Sequence, residues 1–430
     1  MKKLSGFILI LLTLSFLVSF MLVVSAADPV TIEVWNHAGK GAEREVFDAQ
    51  VEDFNAMQNE IVVKLVTLPE GSYNEQVAGA AFARDLPDLL DFDGPNLYSY
   101  AWAGHIIPLD KYVSSELKAD FLPSIIGQGT YGGKLYALGT FDSGFGMWGN
   151  KVYLEKAGVR IPSGIDDTWT FDEFSEALKK LQALDEVEYA IDFKMNYGQG
   201  EWYTYGFSPI IQSWGADLID RSDYQSADGV LNSPEAVEAL TWFQSLFADG
   251  YANEEPAGDD DFYGRKIAAI SYVGMWMWAP HSEGLGNDLV VLPMPKFGDK
   301  AVTGMGSWCW GITSQSKNPE AAWKFLEFLL SPDQILRICD ASGNVPARKS
   351  ALKNSKLYGE DGPLRILADQ LEGGVALPRP ITPAYPTITV AFAEAVQNIV
   401  NGADVKTELD KAVKKIDQDI KDNQGYPVSE

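Results

Sequence analysis

Val30-Thr31-Ile32-Glu33-Val34-Trp35 reads as a strand, and the residues that follow it decide the architecture. Residues 43–55 place Phe47, Val51 and Phe54 on one helical face. Residues 61–68 predict a second strand and residues 74–84 a second helix. The short apolar run Asp88-Leu89-Leu90-Asp91-Phe92 then ends at the turn Gly94-Pro95. Strand, helix, strand, helix, strand is the pattern of a parallel sheet covered by helices.

Outward from this stretch the style repeats. Thr170 and Glu173 form a capping box, with Trp169 and Phe174 as its hydrophobic staple. The helix they start turns Phe174, Leu178, Leu181 and Leu184 inward. Ser233 and Pro234 open another helix that ends at Gly250. Residues 266–272 and 289–292 read as buried strands, residues 318–330 as a helix. A last helix starts near Asp404, with Val405, Leu409, Val413, Ile416 and Ile420 facing the core. No Gly/Ser or Pro linker separates two halves. At 430 residues the chain exceeds one ordinary core, so two interwoven domains are expected.

The formal charge of −26 repels phosphate backbones and acidic membrane surfaces, which sets nucleic acid aside as a partner. Lys2 and Lys3 precede an apolar stretch, residues 7–24, and Val24-Ser25-Ala26 offers small residues for signal cleavage. Residues 1–26 are therefore expected to be an export signal. The stretch also reaches the length of a membrane anchor. Ala27 and Asp28 follow the cut, so no lipid-anchor cysteine is expected there. Cys309 and Cys339 lie among apolar neighbours and read as buried free thiols.

Familiar catalytic patterns are missing. His37, His105 and His281 are far apart and in no zinc-ligand spacing. No Gly-x-Ser-x-Gly elbow occurs. Gly127-Gln128-Gly129-Thr130-Tyr131-Gly132 follows Pro123 and leads into a strand, so it reads as a turn and not a dinucleotide loop. Asp259-Asp260-Asp261 lacks the spacing of a calcium loop and reads as a solvated surface loop. With 60 acidic residues, a carboxylate pair at glycosidase distance remains open. No cofactor is expected.

Aromatic residues, by contrast, gather at strand ends and in loops. Trp35 closes the first strand, and Trp148 lies in a glycine-rich segment. Trp202, Tyr203 and Tyr205 crowd a loop, Trp276 and Trp278 follow a strand, and Trp308 and Trp310 flank Cys309. Ligands of open α/β sheets bind beyond the strand ends. Sugars carry apolar C–H faces ringed by hydroxyls and so suit aromatic platforms edged with polar groups.

Several segments, in order, carry a family resemblance over nearly the whole chain after residue 26. They are Leu86-Pro87-Asp88 with Gly104-His105-Ile106-Ile107-Pro108-Leu109-Asp110; Tyr131-Gly132-Gly133-Lys134-Leu135-Tyr136 with Gly149-Asn150-Lys151; Thr168-Trp169-Thr170-Phe171-Asp172-Glu173-Phe174; Ala268-Ala269-Ile270 with Gly274-Met275-Trp276; and Lys317-Asn318-Pro319-Glu320-Ala321-Ala322-Trp323-Lys324-Phe325-Leu326. This order resembles the extracellular solute-binding family that includes the maltose- and trehalose-binding proteins of ABC importers.

The resemblance implies an α/β, two-lobed periplasmic-binding-protein fold of type II, with three hinge crossings near residues 139–146, 292–295 and 344–347. The expected lobes are residues 27–140 plus 296–345, and residues 141–295 plus 346–430. By position it makes Trp276 the sugar-stacking ring and Trp308 a second one. Asp93 or Asp91 matches a carboxylate after the third strand, Asp142 one beside the hinge, Trp202 a second-lobe aromatic and Arg379 an arginine of the cleft. The full expected ligand-binding set is Trp35, His37, Tyr73, Asp93, Asp142, Trp202, Tyr205, Trp276, Trp308 and Arg379. Thr389 stands where maltose binders carry a cleft tryptophan, so maltose itself is not implied.

The function this implies is capture of a mono- or oligosaccharide outside the cytoplasmic membrane, without chemistry, by a monomer that delivers it to the permease subunits of an ABC importer. Polyol or glycerol-phosphate carriers are alternatives within the family. A phosphate would need several cleft cations, and only Lys40 and Arg379 are candidates. A secreted carbohydrate-active enzyme is the alternative from another class.

Overall fold

The computed structural model describes residues 28–39 and 42–427. The expected leader, residues 1–26, and Lys40 lie outside the described residues. The strands are β1 (Val30–His37), β2 (Ile61–Leu68), β3 (Leu89–Asp93), β4 (Thr130–Tyr131), β5 (Lys134–Leu135), β6 (Phe141–Asp142), β7 (Phe145–Asn150), β8 (Tyr189–Asp192), β9 (Ala268–Gly274), β10 (Leu289–Leu292), β11 (Thr303–Met305), β12 (Trp308–Ile312), β13 (Val345–Pro346) and β14 (Ala376–Pro378).

Two four-stranded sheets carry the two lobes. The first has the order β12-β3-β1-β2, in which β1 runs parallel to β2 and β3, and β12 runs antiparallel to β3. Ile32 and Val34 alternate onto one face, under the helices Ala42–Met57, Pro319–Leu329 and Pro332–Ser342, whose inward residues include Phe47, Val51, Phe54 and Phe325. Leu90 and Phe92 face the other side, against Tyr73, Val77 and Leu97. The second sheet has the order β10-β7-β9-β8. Here only β8 and β9 are parallel, because β7 runs antiparallel to both of its neighbours. The second sheet is therefore mixed, where the repeated strand–helix pattern had suggested a parallel one.

Local chemistry accounts for the element starts. The Thr170 hydroxyl accepts from the Glu173 amide while the Glu173 carboxylate accepts from the Thr170 amide, so the capping box is formed and starts the helix Phe171–Gln182. Trp169 packs 6.1 Å from Phe174, as a staple should. Ser233 and Asp404 cap the helices Pro234–Ala248 and Val405–Asp422 in the same way. Gly132 and Gly133 both have positive φ between β4 and β5, so that glycine-rich run is a hairpin turn.

The chain passes from the first sheet to the second before β7, returns at β12, and leaves again after β13. Between the sheets, β6 pairs antiparallel with β13, and Gly144 bridges Met305. The cores change over later than the expected lobe boundaries. Phe297 is buried in the second core beside Trp242, and Ala347 and Ala351 still belong to the first.

Two readings of the aromatics need correction. Trp202, Tyr203 and Tyr205 are not in a loop: they form the first turns of the buried helix Glu201–Ser213, which the glycines at 198 and 200 had concealed. Trp148 lies inside β7 and is wholly buried. Cys309 and Cys339 are free and buried, as their neighbours suggested. Among the described residues no helix is long and apolar enough to cross a membrane.

Candidate functional site

The antiparallel pairing of β12 with β3 sets Trp308 directly beside Asp93, so the start of one strand meets the end of the other. His37, the last residue of β1, arrives at the same edge and stacks on the Trp308 ring at 3.8 Å with a 14° tilt. Tyr73 meets that indole edge-on at 5.3 Å, and its hydroxyl donates to the Asp91 carbonyl. His37 Nδ1 lies 2.5 Å from Asp91 Oδ2, and Nε2 lies 3.4 Å from Glu43 Oε1. Burial alone would lower the imidazole's pKa, but these two carboxylates outweigh it and hold it well above the usual histidine range.

The second wall is built around Trp276. Gly274 ends β9, and a Cβ there would lie 1.9 Å from the Trp276 ring, so only glycine lets the indole fold back over the strand end. The indole N–H donates to the Tyr197 hydroxyl at 3.3 Å. Trp202 stands edge-on to Trp276 at 5.9 Å, and Tyr205 lies 6.2 Å away at 31°. Trp202 donates its own N–H to the Phe193 carbonyl, which fixes its ring.

Arg379 connects the walls. Its Nη1 and Nη2 donate to Asp93 Oδ2 and Oδ1 at 2.6 and 2.8 Å, a bidentate pair with the first sheet. Nη1 also donates to Glu201 Oε1, 2.5 Å away at the start of the second-lobe helix. Glu201 further accepts from Tyr385 and, at 2.7 Å, from Thr389. The guanidinium sits 4.6 Å from the Tyr205 ring centre. Burial works against the charge of Arg379, yet Asp93 and Glu201 keep it firmly protonated. Burial also raises the Glu201 pKa, with Arg379 opposing.

These groups line one cleft of about 720 Å³. It gathers His37, Tyr73, Asp93, Trp202, Tyr205, Trp276, Trp308 and Arg379 from the expected set. Trp35 is not among its lining: the side chain packs on the sheet face near Leu90, and its N–H donates to Glu33 at 2.7 Å. Closing a strand in sequence did not carry the ring past the strand's end. Asp142 is not in the lining either. It is buried in the β6–β13 pairing, where its carboxylate accepts from the amides of Ser143 and Gly306. Asp91 lies behind His37, so Asp93 is the carboxylate that reaches the cleft.

Glu201, Tyr197 and Asn196 went unforeseen because Gly198 and Gly200 among them suggested a loop, and Tyr385 because a single polar residue gives no periodic signal. Thr389, noted only as a missing tryptophan, lines the cleft and holds Glu201. Asp259 also differs from its solvated reading, since it accompanies Asp192 in neutralising the buried Lys194. Among the described residues no group of three or more His, Cys, Asp or Glu could hold a metal.

Residues 49–363 match the family model described as bacterial extracellular solute-binding protein, well over half of the chain. The chain belongs to this family. Within it, a Deinococcus radiodurans protein named "Probable ABC transporter-binding protein" is 28% identical over 371 residues, covering 79% of this chain and 81% of that one. The maltotriose-binding protein of Pyrococcus abyssi is 24% identical over 347 residues, 76% of this chain and 69% of the relative. Among solved structures, the cyclic alpha-maltosyl-1,6-maltose binding protein from Arthrobacter globiformis superposes with a TM-score of 0.72 at 24% identity, over 92% of this chain and all of that one. The two-lobed fold of the family is thus the fold of this chain.

Proposed function

We propose that this solute-binding protein captures a mono- or oligosaccharide in the cleft and delivers it to the permease subunits of an ABC importer. One observation carries the reading: aromatic rings from both sheets, Trp308 on one wall and Trp276 on the other, face a single cleft whose edges are polar. The rings would take the C–H faces of a sugar and the polar edges its hydroxyls. Relatives named for maltotriose and maltodextrin binding support the same ligand class. The sequence between β6 and β7, the segment after β10 and the β13 segment would serve as the hinge.

The protein acts as an exported monomer and performs no reaction. Asp93 and Glu201, the two cleft carboxylates in the Arg379 network beside Tyr205, are both engaged by Arg379, so neither of these two is free as an acid–base partner. Incubation with oligosaccharides should yield no cleavage products.

A panel of sugars read by tryptophan fluorescence and thermal shift tests the capture. At least one neutral sugar should raise the melting temperature, and Trp276→Ala should weaken it by about 2 kcal/mol, roughly thirtyfold in Kd. A flat response across the panel would remove the reading.

A further inference from the structure

The cleft wall holds more negative charge than its own contacts neutralise. Its carboxylates are Glu43, Glu70, Glu75, Asp93, Glu201 and Asp259, and Arg379 is the lone lysine or arginine in the lining among the described residues. Arg379 is already shared by Asp93 and Glu201, His37 meets Glu43, and Lys194 meets Asp259. Glu70 and Glu75 have no ion pair among the described residues, and both are exposed to solvent on the first wall, on either side of Tyr73. Glu70, Glu75 and, on the opposite wall, Tyr197 all line this one cleft.

A second observation points the same way. Asn196 lines the cleft, and its side-chain oxygen is buried without a hydrogen-bond partner. The Tyr205 hydroxyl, on a side chain only 6% exposed, is also without a partner and can accept as well as donate. A carboxamide oxygen and carboxylates accept and do not donate, so the wall calls for a donor-rich guest. An ammonium group brings three donors and a positive charge.

The geometry points to a cleft that selects saccharides bearing a protonated amine, with the ammonium held at the rim by Glu70 and Glu75, and that rejects uronates and phosphorylated sugars. This inference rests on the sugar-capture reading. The anionic wall acts on the ligand's charge, while the aromatic platforms act on its ring, so the two contributions separate in experiment.

The test uses matched sets of hexose, 2-amino-hexose, N-acetylamino-hexose and uronate in the gluco, galacto and manno configurations, as monosaccharides and disaccharides. Calorimetric Kd values are taken at a pH where the amine is protonated, in low and in high salt. In the configuration that binds, the amine should bind about fivefold tighter than the neutral hexose, and the uronate weaker than both. High salt should narrow the gap. In E70Q/E75Q the amine preference should fall to about one, with neutral-sugar binding retained. A neutral hexose binding as tightly as its amine, a preferred uronate, or an amine preference that survives E70Q/E75Q would each overturn the inference while leaving sugar capture standing. No binding in any set would remove both.

Discussion

At the scale of single residues, two buried charges organise the site. Arg379 is 7% exposed and tied to both walls, so its removal strands the part-buried carboxylates of Asp93 and Glu201 without a counter-charge. Arg379→Met should lower stability by about 3–5 kcal/mol, measured by denaturant unfolding, far beyond the cost of losing an exposed pair. A change within ~1 kcal/mol would mean that the network carries little. His37 gives a pH signature. Its folded pKa is raised by Asp91 and Glu43, so its contribution is complete below the ordinary histidine range and is lost as pH rises through the folded value. His37→Gln should therefore lie furthest below wild type in melting temperature near about pH 6, and the gap should narrow toward alkaline pH. A gap that widens as pH rises would reverse the assignment. These features were partly legible. Trp276, Trp308 and Arg379 were found by resemblance, whereas Glu201 was not. A lone glutamate becomes a site residue only when a helix start delivers it to an arginine 178 positions away.

At the scale of elements, the sequence was most readable where a start signal and a periodic face coincided. The helix Phe171–Gln182 has a capping box, a staple and an inward row of Phe174, Leu178 and Leu181. Thr170→Ala should cost about 1 kcal/mol, visible as a shift in denaturant midpoint without loss of ligand binding. Unchanged stability would show that the box is redundant with the staple. The helix Glu201–Ser213 was unreadable for the opposite reason. It is buried almost all round, so its apolar residues follow no stripe, and Pro209 within it argues against helix. Pro209 is tolerated because the surrounding core fixes the turn. Trp35 shows the limit of strand reading: a ring at the end of an apolar run in sequence can still precede the end of the strand, which continues to His37.

At the scale of the whole molecule, the cleft exists because the chain returns. β12 comes back from the second lobe to pair antiparallel with β3, and that return places Trp308 beside Asp93 and under reach of Arg379. Closure around a ligand that touches both walls should appear in small-angle scattering as a fall in radius of gyration on saturation with a sugar that raises the melting temperature. Binding with no change in scattering would argue for a cleft that is rigid and already closed. By itself the sequence determined the alternation of strands and helices, the need for two cores, the buried thiols and the rings able to stack on a sugar, because periodicity, capping and composition are local properties. Only the tertiary structure decided that β7 runs against its neighbours, that Trp35 and Asp142 stay out of the cleft, and that Glu201 enters it. Those outcomes depend on which distant segments pair and pack, and no window of neighbouring residues contains that information.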